Sequence, residues 1–197
     1  YRGLSPPTTE TIERWAGILV PAYKKLMEWF REMGALTVLI EEPALVLDIS
    51  PDEMKIFIDI YEELGSIVDI WLLTYYDSVT HYNDFIQLNV KGLSLDFVSN
   101  TENLNNLRRY GFPCDKILLA GIINGKQPWT ARYEKLIPLI EELSRHSSHI
   151  VLTNSCPLFH LPVSIDMEKE LPPRLLKKLS FAREKLTELR LIKEYLS

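Results

Sequence analysis

The chain has 197 residues, 22 Lys+Arg against 27 Asp+Glu for a net charge of −5, and a hydrophobic share of 46%. That apolar share excludes disorder and supports one sizeable core, and the acidic balance without a Lys/Arg stripe excludes a nucleic-acid footprint. No apolar run approaches the roughly 20 residues that span a bilayer, and no signal peptide opens the sequence. The first residue is Tyr1 rather than Met, which leads us to expect part of a longer polypeptide. Two cysteines, Cys114 and Cys156, are too few for a disulfide framework or a CxxC site, so a reducing, cytoplasmic setting is expected.

In chain order, Thr11 to Met33 comes first, with Ile12, Trp15, Leu19, Tyr23, Leu26, Phe30 and Met33 three or four apart on one helical stripe. Gly34 stops this helix, and Pro21 should kink it or open a second one. Leu36 to Ile40 is β-rich and ends abruptly in Glu41-Glu42-Pro43. A well-marked helix follows: Ser50 as cap, Pro51 at the first helical position, Glu53 completing a capping box and Gly65 at the end. Further strands are expected near Val68 to Tyr75, Gly92 to Val98, Lys116 to Ile123 and His149 to Thr153. Helices are expected near Val79 to Gln87, Thr101 to Tyr110, Thr130 to Arg145 and Pro172 to Leu196. The last carries Leu175, Leu179, Ala182, Leu186, Leu189 and Ile192 on one stripe.

Strand and helix alternate, which means α/β with a parallel sheet, and the absence of a Gly/Ser linker makes residues 1–197 one domain. The consecutive apolar residues of Ile117 to Ile123 describe a strand covered on both faces. About five βα units follow a leading helix. The pattern leaves open a five-stranded doubly wound sheet or five-eighths of a (βα)8 barrel. In both, ligand chemistry belongs at the C-terminal ends of the strands.

Those ends carry Glu41 and Glu42; Tyr75, Tyr76 and Asp77; Asp96; Asn124, Lys126 and Trp129; and Asn154, Ser155, Cys156 and His160. Glu41, Glu42 and Asp96 suit acid/base work or a cation; the plainer reading is that they orient loops and cap helices. Cys156 and His160 have a C-x3-H spacing open to two zinc ligands, but the remaining ligands would have to be carboxylates, so a structural loop cysteine is the better reading. Gly121 to Gln127 fails as a phosphate loop: it is one residue short between the glycines, with Gln127 where Ser or Thr must meet magnesium. Lys126 suits an anion or simple solvation, and Trp71, Tyr75, Tyr76 and Trp129 suit stacking or rim packing. No Ser-His-Asp set stands out.

At these same strand ends the sequence resembles a known family. Ile40-Glu41-Glu42-Pro43-Ala44-Leu45-Val46-Leu47 resembles the IDEPALVL segment of cobalamin-independent methionine synthase. Leu72 to Tyr76 resembles its LLTTYF, Gly92 to Val98 its GLHLDLV, and Gly121 to Lys126 with Trp129 its GxxNGRNxW. Ser155 to Val163 resembles SCSLLHVPV, and Leu179 to Leu186 resembles LAFAxQKL. The resemblance implies a TIM-barrel type (βα)8 fold, incomplete here: strands four to eight of the N-terminal of two facing barrels, without the first three strands and their basic polyglutamate-gripping loop. It implies a methyltransferase that moves a methyl group from 5-methyltetrahydrofolate polyglutamate to homocysteine. The zinc that activates the homocysteine thiol belongs to the C-terminal barrel, which becomes the expected partner. In that catalytic barrel zinc is held by His-x-Cys on strand five, Glu on six and Cys on eight, with an acid His on seven. Here Leu73 to Tyr76 offers neither ligand of the first pair, Asp96 stands near the glutamate's place, Asn124 near the histidine's, and only Cys156 matches.

The resemblance therefore implies no cofactor, metal or catalytic residue in this segment, and a mouth of Glu41, Glu42, Asp96, Asn124, Lys126, Cys156 and His160 that at most touches substrate. It also puts Cys114 and Cys156 at opposite barrel ends, unable to form a disulfide. Two alternatives stand beside it. One is a stand-alone partner module completed by a separate catalytic chain. The other is a uroporphyrinogen-decarboxylase-like relative, which would want mouth arginines; Arg108, Arg109, Arg132 and Arg145 lie on expected helices. Five strands leave two open edges, which invite self-association.

Overall fold

The computed structural model describes residues 8–196. Its order is α1 (Thr9–Glu32), β1 (Thr37–Glu41), α2 (Pro51–Gly65), β2 (Asp69–Leu73), α3 (Tyr82–Phe85), β3 (Gly92–Asp96), α4 (Glu102–Tyr110), β4 (Ile117–Ile123), α5 (Tyr133–His146), β5 (Ile150–Asn154), α6 (Pro173–Leu176) and α7 (Ala182–Leu196). Local chemistry accounts for the boundaries. Thr8 caps α1, and Ser50 and Glu53 form the expected capping box on α2. α1 continues through Pro21 instead of restarting there; Pro21 and Gly17 are both exposed, so water reaches the carbonyl that the proline leaves without a donor.

The five strands are all parallel and lie in the order β1-β2-β3-β4-β5. A doubly wound sheet reverses its strand order part-way. This one never does, and right-handed crossovers between successive parallel neighbours then all fall on the same face. The architecture is the wall of an incomplete (βα)8 barrel. Ile70, Leu72, Leu93, Leu95, Leu118, Ala120 and Ile122 point to the helices and form the buried core with Met27, Met54, Phe85, Leu107, Leu143 and Ile192. Alternate residues face the concave side, where Leu39, Trp71, Ser94, Leu119 and Thr153 line a cavity of about 240 Å³. Gly92 is small because Trp71 lies across it: a Cβ there would sit 2.9 Å from the indole. Thr153 Oγ1 is buried on this face with no hydrogen-bond partner.

Two expected stripes are rotated. On α1 the stripe is largely turned outward, with Trp15, Leu19, Tyr23, Leu26 and Met33 exposed, while Val20 and Met27 make the inward contact. On α7, Leu186 is exposed, and Lys185, Glu188 and Ile192 are buried. The expected single helix over Pro172 to Leu196 is also split. Ser180 N–H donates to the Pro128 carbonyl, Thr130 N–H to the Lys178 carbonyl, and Leu179 bridges Trp129, so residues 178–180 run beside the β4–α5 loop instead of coiling. Lys185, only 1% exposed, explains its own burial by donating to the Trp129 carbonyl with Glu188 Oε2 3.7 Å away, while Glu188 Oε1 accepts from Ala131 N–H at 2.9 Å.

Removing one member of a buried pair strands the other. Lys185→Ala is expected to cost about 3 kcal/mol in urea denaturation. Arg190→Ala, which breaks an exposed pair with Glu194, should cost under about 0.5 kcal/mol.

Candidate functional site

Because β1 to β5 are parallel and sequential, their C-terminal ends meet at one rim. β1 ends in Glu41, whose Oε2 accepts from the Tyr75 hydroxyl at 3.1 Å. Burial, and then this carboxylate, push the Tyr75 phenol up to about 12. Glu42 turns elsewhere: its Oε1 caps the following 3-10 turn at Ala44 N–H, and it lines a groove with α1 and α2 beside Tyr61. Burial raises the Glu42 carboxyl above its ordinary range, against the lowering effect of the Ala44 and Tyr61 hydrogen bonds.

Tyr76 is the centre of the rim. Its φ of 83° is the one positive value at a non-glycine residue among the described residues, and such backbone costs on the order of 1–3 kcal/mol. Contacts from three other strand ends hold it there. Asp96 Oδ2 accepts its N–H at 3.2 Å, its hydroxyl lies 2.9 Å from His160 Nε2, and Lys126 Nζ stands 4.6 Å from the ring centroid. The Tyr75 ring meets it edge-on at 4.7 Å.

The remaining expected residues are brought to the same rim but are spent internally. Asp96 is 1% exposed and accepts four hydrogen bonds, from Val98 N–H, Ser99 N–H, Ser99 Oγ and Tyr76 N–H. Asn124 Oδ1 accepts from Lys126 N–H and Gln127 N–H, which folds the loop that carries Lys126. Cys156 is buried against Gly125, where a Cβ would come within 2.8 Å of Sγ, and burial raises its thiol. Lys126 and His160 are exposed. Among the described residues no three His, Cys, Asp or Glu side chains form a metal-holding group. Cys114 and Cys156 are both free.

Sequence reasoning named Tyr75 and Tyr76 as aromatics without seeing that one is the rim's strained pivot. It placed Arg132 within a helix, whereas Arg132 is the cap residue preceding α5, on the rim side of the fold.

Residues 4–148 match the N-terminal domain family of the cobalamin-independent synthases. The chain belongs to that family. It is 47% identical over 177 residues to a 5-methyltetrahydropteroyltriglutamate–homocysteine methyltransferase of Thermotoga petrophila, covering 90% of this chain and 23% of that relative. The same-named protein of Halalkalibacterium halodurans is 40% identical over 182 residues, covering 89% of this chain and 24% of the relative. The chain thus spans about a quarter of the length of the curated relatives it matches. A candidate vitamin-B12-independent methionine synthase from Listeria monocytogenes superposes with a TM-score of 0.60 at 17% identity, covering 95% of this chain and 57% of that one. That likeness supports the barrel-type fold. Family membership sets aside the uroporphyrinogen-decarboxylase-like alternative.

Two measurements check the internal roles. A carboxyl raised by burial gives stability that is present below its unfolded value and lost as pH rises through the folded one. Glu42→Gln keeps an acceptor for Ala44 N–H, so its melting temperature relative to the parent chain should be higher near pH 7 than near pH 4. A thiol reagent should modify Cys114 in the native chain and reach Cys156 only on unfolding.

Proposed function

We propose that this chain, as one domain over residues 1–197, supplies the trailing five βα units of the non-catalytic N-terminal barrel of a methyltransferase. That enzyme moves a methyl group from 5-methyltetrahydrofolate polyglutamate to homocysteine. The chain provides scaffold and one wall of the cleft, and a C-terminal barrel, on the same or a separate chain, carries the zinc and the thiol chemistry. A cytoplasmic setting accords with its two free thiols.

The observation that carries this reading is how the rim's metal-type donors are used. The family's zinc would need open thiolate, imidazole or carboxylate ligands. Here the Cys156 thiol is buried with its proton held more tightly, both Asp96 oxygens are saturated, and His160 Nε2 is engaged by Tyr76. The donor set does not fit zinc. Asp96, Asn124 and Cys156 brace the rim, Glu42 fixes the turn after β1, and Glu41, Lys126 and His160 are the exposed groups that a ligand across the cleft would meet.

The chain also presents apolar surface that a finished barrel would cover. Leu39 on the concave face is 60% exposed, and on α1 Trp15 is 50% and Met33 71% exposed beside the open β1 edge. Completion by the missing βα units removes that surface, and in their absence the edges pair between copies.

With zinc, homocysteine and the methyl donor supplied, the isolated chain is expected to show no methionine formation; clear turnover would overturn the scaffold reading. In size-exclusion chromatography with light scattering, the chain alone is expected as an oligomer or aggregate. A well-behaved monomer would count against edge completion.

A further inference from the structure

A second cavity, of about 300 Å³, lies between the end of β4, the β4–α5 loop and the start of α5. In a chain with more acids than bases, its lining holds Arg132, Lys135 and Lys185 and no carboxylate. Neither the Arg132 nor the Lys135 side chain has an ion-pair partner among the described residues. Lys185 is 1% exposed and spends one of its three donors on the Trp129 carbonyl. Its counter-ion is Glu188, but only one Glu188 oxygen is hydrogen-bonded, to Ala131 N–H, and the other stands 3.7 Å from Nζ. The neighbouring Glu134 lines a different groove, with Tyr133 and Tyr195.

Glu188 pairs with Lys185, so the excess positive charge comes from the exposed Arg132 and Lys135 at the opening, and an excess of one sign beside a cleft attracts an opposite charge. The Lys185 ammonium is held by the Trp129 carbonyl and Glu188 and has three donors in all, so an anion in the cavity would meet a cation already fixed in place. The 14-residue α5 adds its positive end, since its cap residue Arg132 makes no side-chain cap hydrogen bond. The walls are already fixed. Thr130 N–H, Ala131 N–H and the Trp129 carbonyl are each tied to the 178–188 segment, so the cavity needs no rearrangement to receive a ligand.

We propose that this cavity binds a phosphate group, held by Arg132 and Lys135 at its opening and by the field of Lys185 at its base. The proposal does not depend on the methyl-transfer reading. That reading adds one consonant point: it makes β4 and β5 the seventh and eighth barrel strands, the usual neighbourhood of phosphate in (βα)8 proteins.

The test is a calorimetric titration of the full chain with inorganic phosphate at low ionic strength, repeated with glycerol phosphate. Expected is saturable binding to one site per chain. Arg132→Ala/Lys135→Ala should weaken it about tenfold or more, with circular dichroism confirming an intact fold, and Lys126→Ala should leave it unchanged. Tighter binding of glycerol phosphate marks the phosphoryl group of an organic ligand; equal binding marks the free ion. Absence of saturable binding, or equal affinity in the double variant, overturns the proposal. So does a loss that follows Lys126→Ala instead, which would put the anion against Tyr76 and leave the rim reading standing.

Discussion

Everything about this molecule's shape descends from the pairing of each strand with its predecessor, parallel and without reversal. Right-handed crossovers then carry every helix to one side, so the convex face collects the aliphatic core and the concave face is left to the opposing wall of a barrel. The same constraint brings the chemistry together. Five strand ends that lie between Glu41 and Asn154 in the sequence arrive at one rim, and a β1 carboxylate, β2 phenols, a β3 carboxylate, a β4 lysine and a β5 imidazole come within reach of one another without any local sequence motif linking them.

At that rim, burial separates two kinds of polar group. The deep ones are satisfied by the protein itself, because an unmet donor or acceptor there costs about 1–3 kcal/mol. Asp96 illustrates the rule, with both oxygens used to turn the chain after β3 and to fix Tyr76. The shallow ones, Lys126 and His160, can keep spare capacity because water substitutes for a partner. Tyr76 joins the two sets. Its backbone is anchored below by Asp96 and its hydroxyl and ring are engaged above, so the strain of its left-handed conformation is distributed over contacts from β3, β4 and β5.

Much of this was legible in the sequence where a physical rule is local. The Ser50-Pro51-Glu53 start of α2 and the unbroken apolar run of β4 each depend on near neighbours alone, and each was found within a residue or two. The choice between barrel and doubly wound sheet was not local, since it turns on which strands pair, and only the family's strand-end motifs indicated it. The stripes of α1 and α7 misled for a related reason. Periodicity reports that an apolar face exists, not which partner covers it. On α1 the richer face looks outward, and on α7 a lysine displaces Leu186 from the inside because a carbonyl 56 residues earlier in the chain accepts its hydrogen bond. Arg132 was misplaced for want of a boundary: nothing in Thr130-Ala131-Arg132 announces that the helix waits until Tyr133.

The two faces of α1 have a further consequence for how the chain exists at work. Val20 and Met27 seat the helix on the core and Lys24 pairs with Glu63 of α2, so the helix is held in place without its outer face. That outer face nevertheless carries Trp15, Ile18, Leu19, Tyr23, Trp29 and Met33, each about half exposed or more. Covering the rest of such side chains is worth on the order of 1 kcal/mol apiece, several kcal/mol in sum. A surface of that strength running beside an unpaired β1 edge has the character of a domain core cut open rather than of a transient contact. In the barrel reading proposed above, a preceding βα unit would lie against that face. On that reading, closure of the barrel would add to this segment's stability as well as complete its cleft.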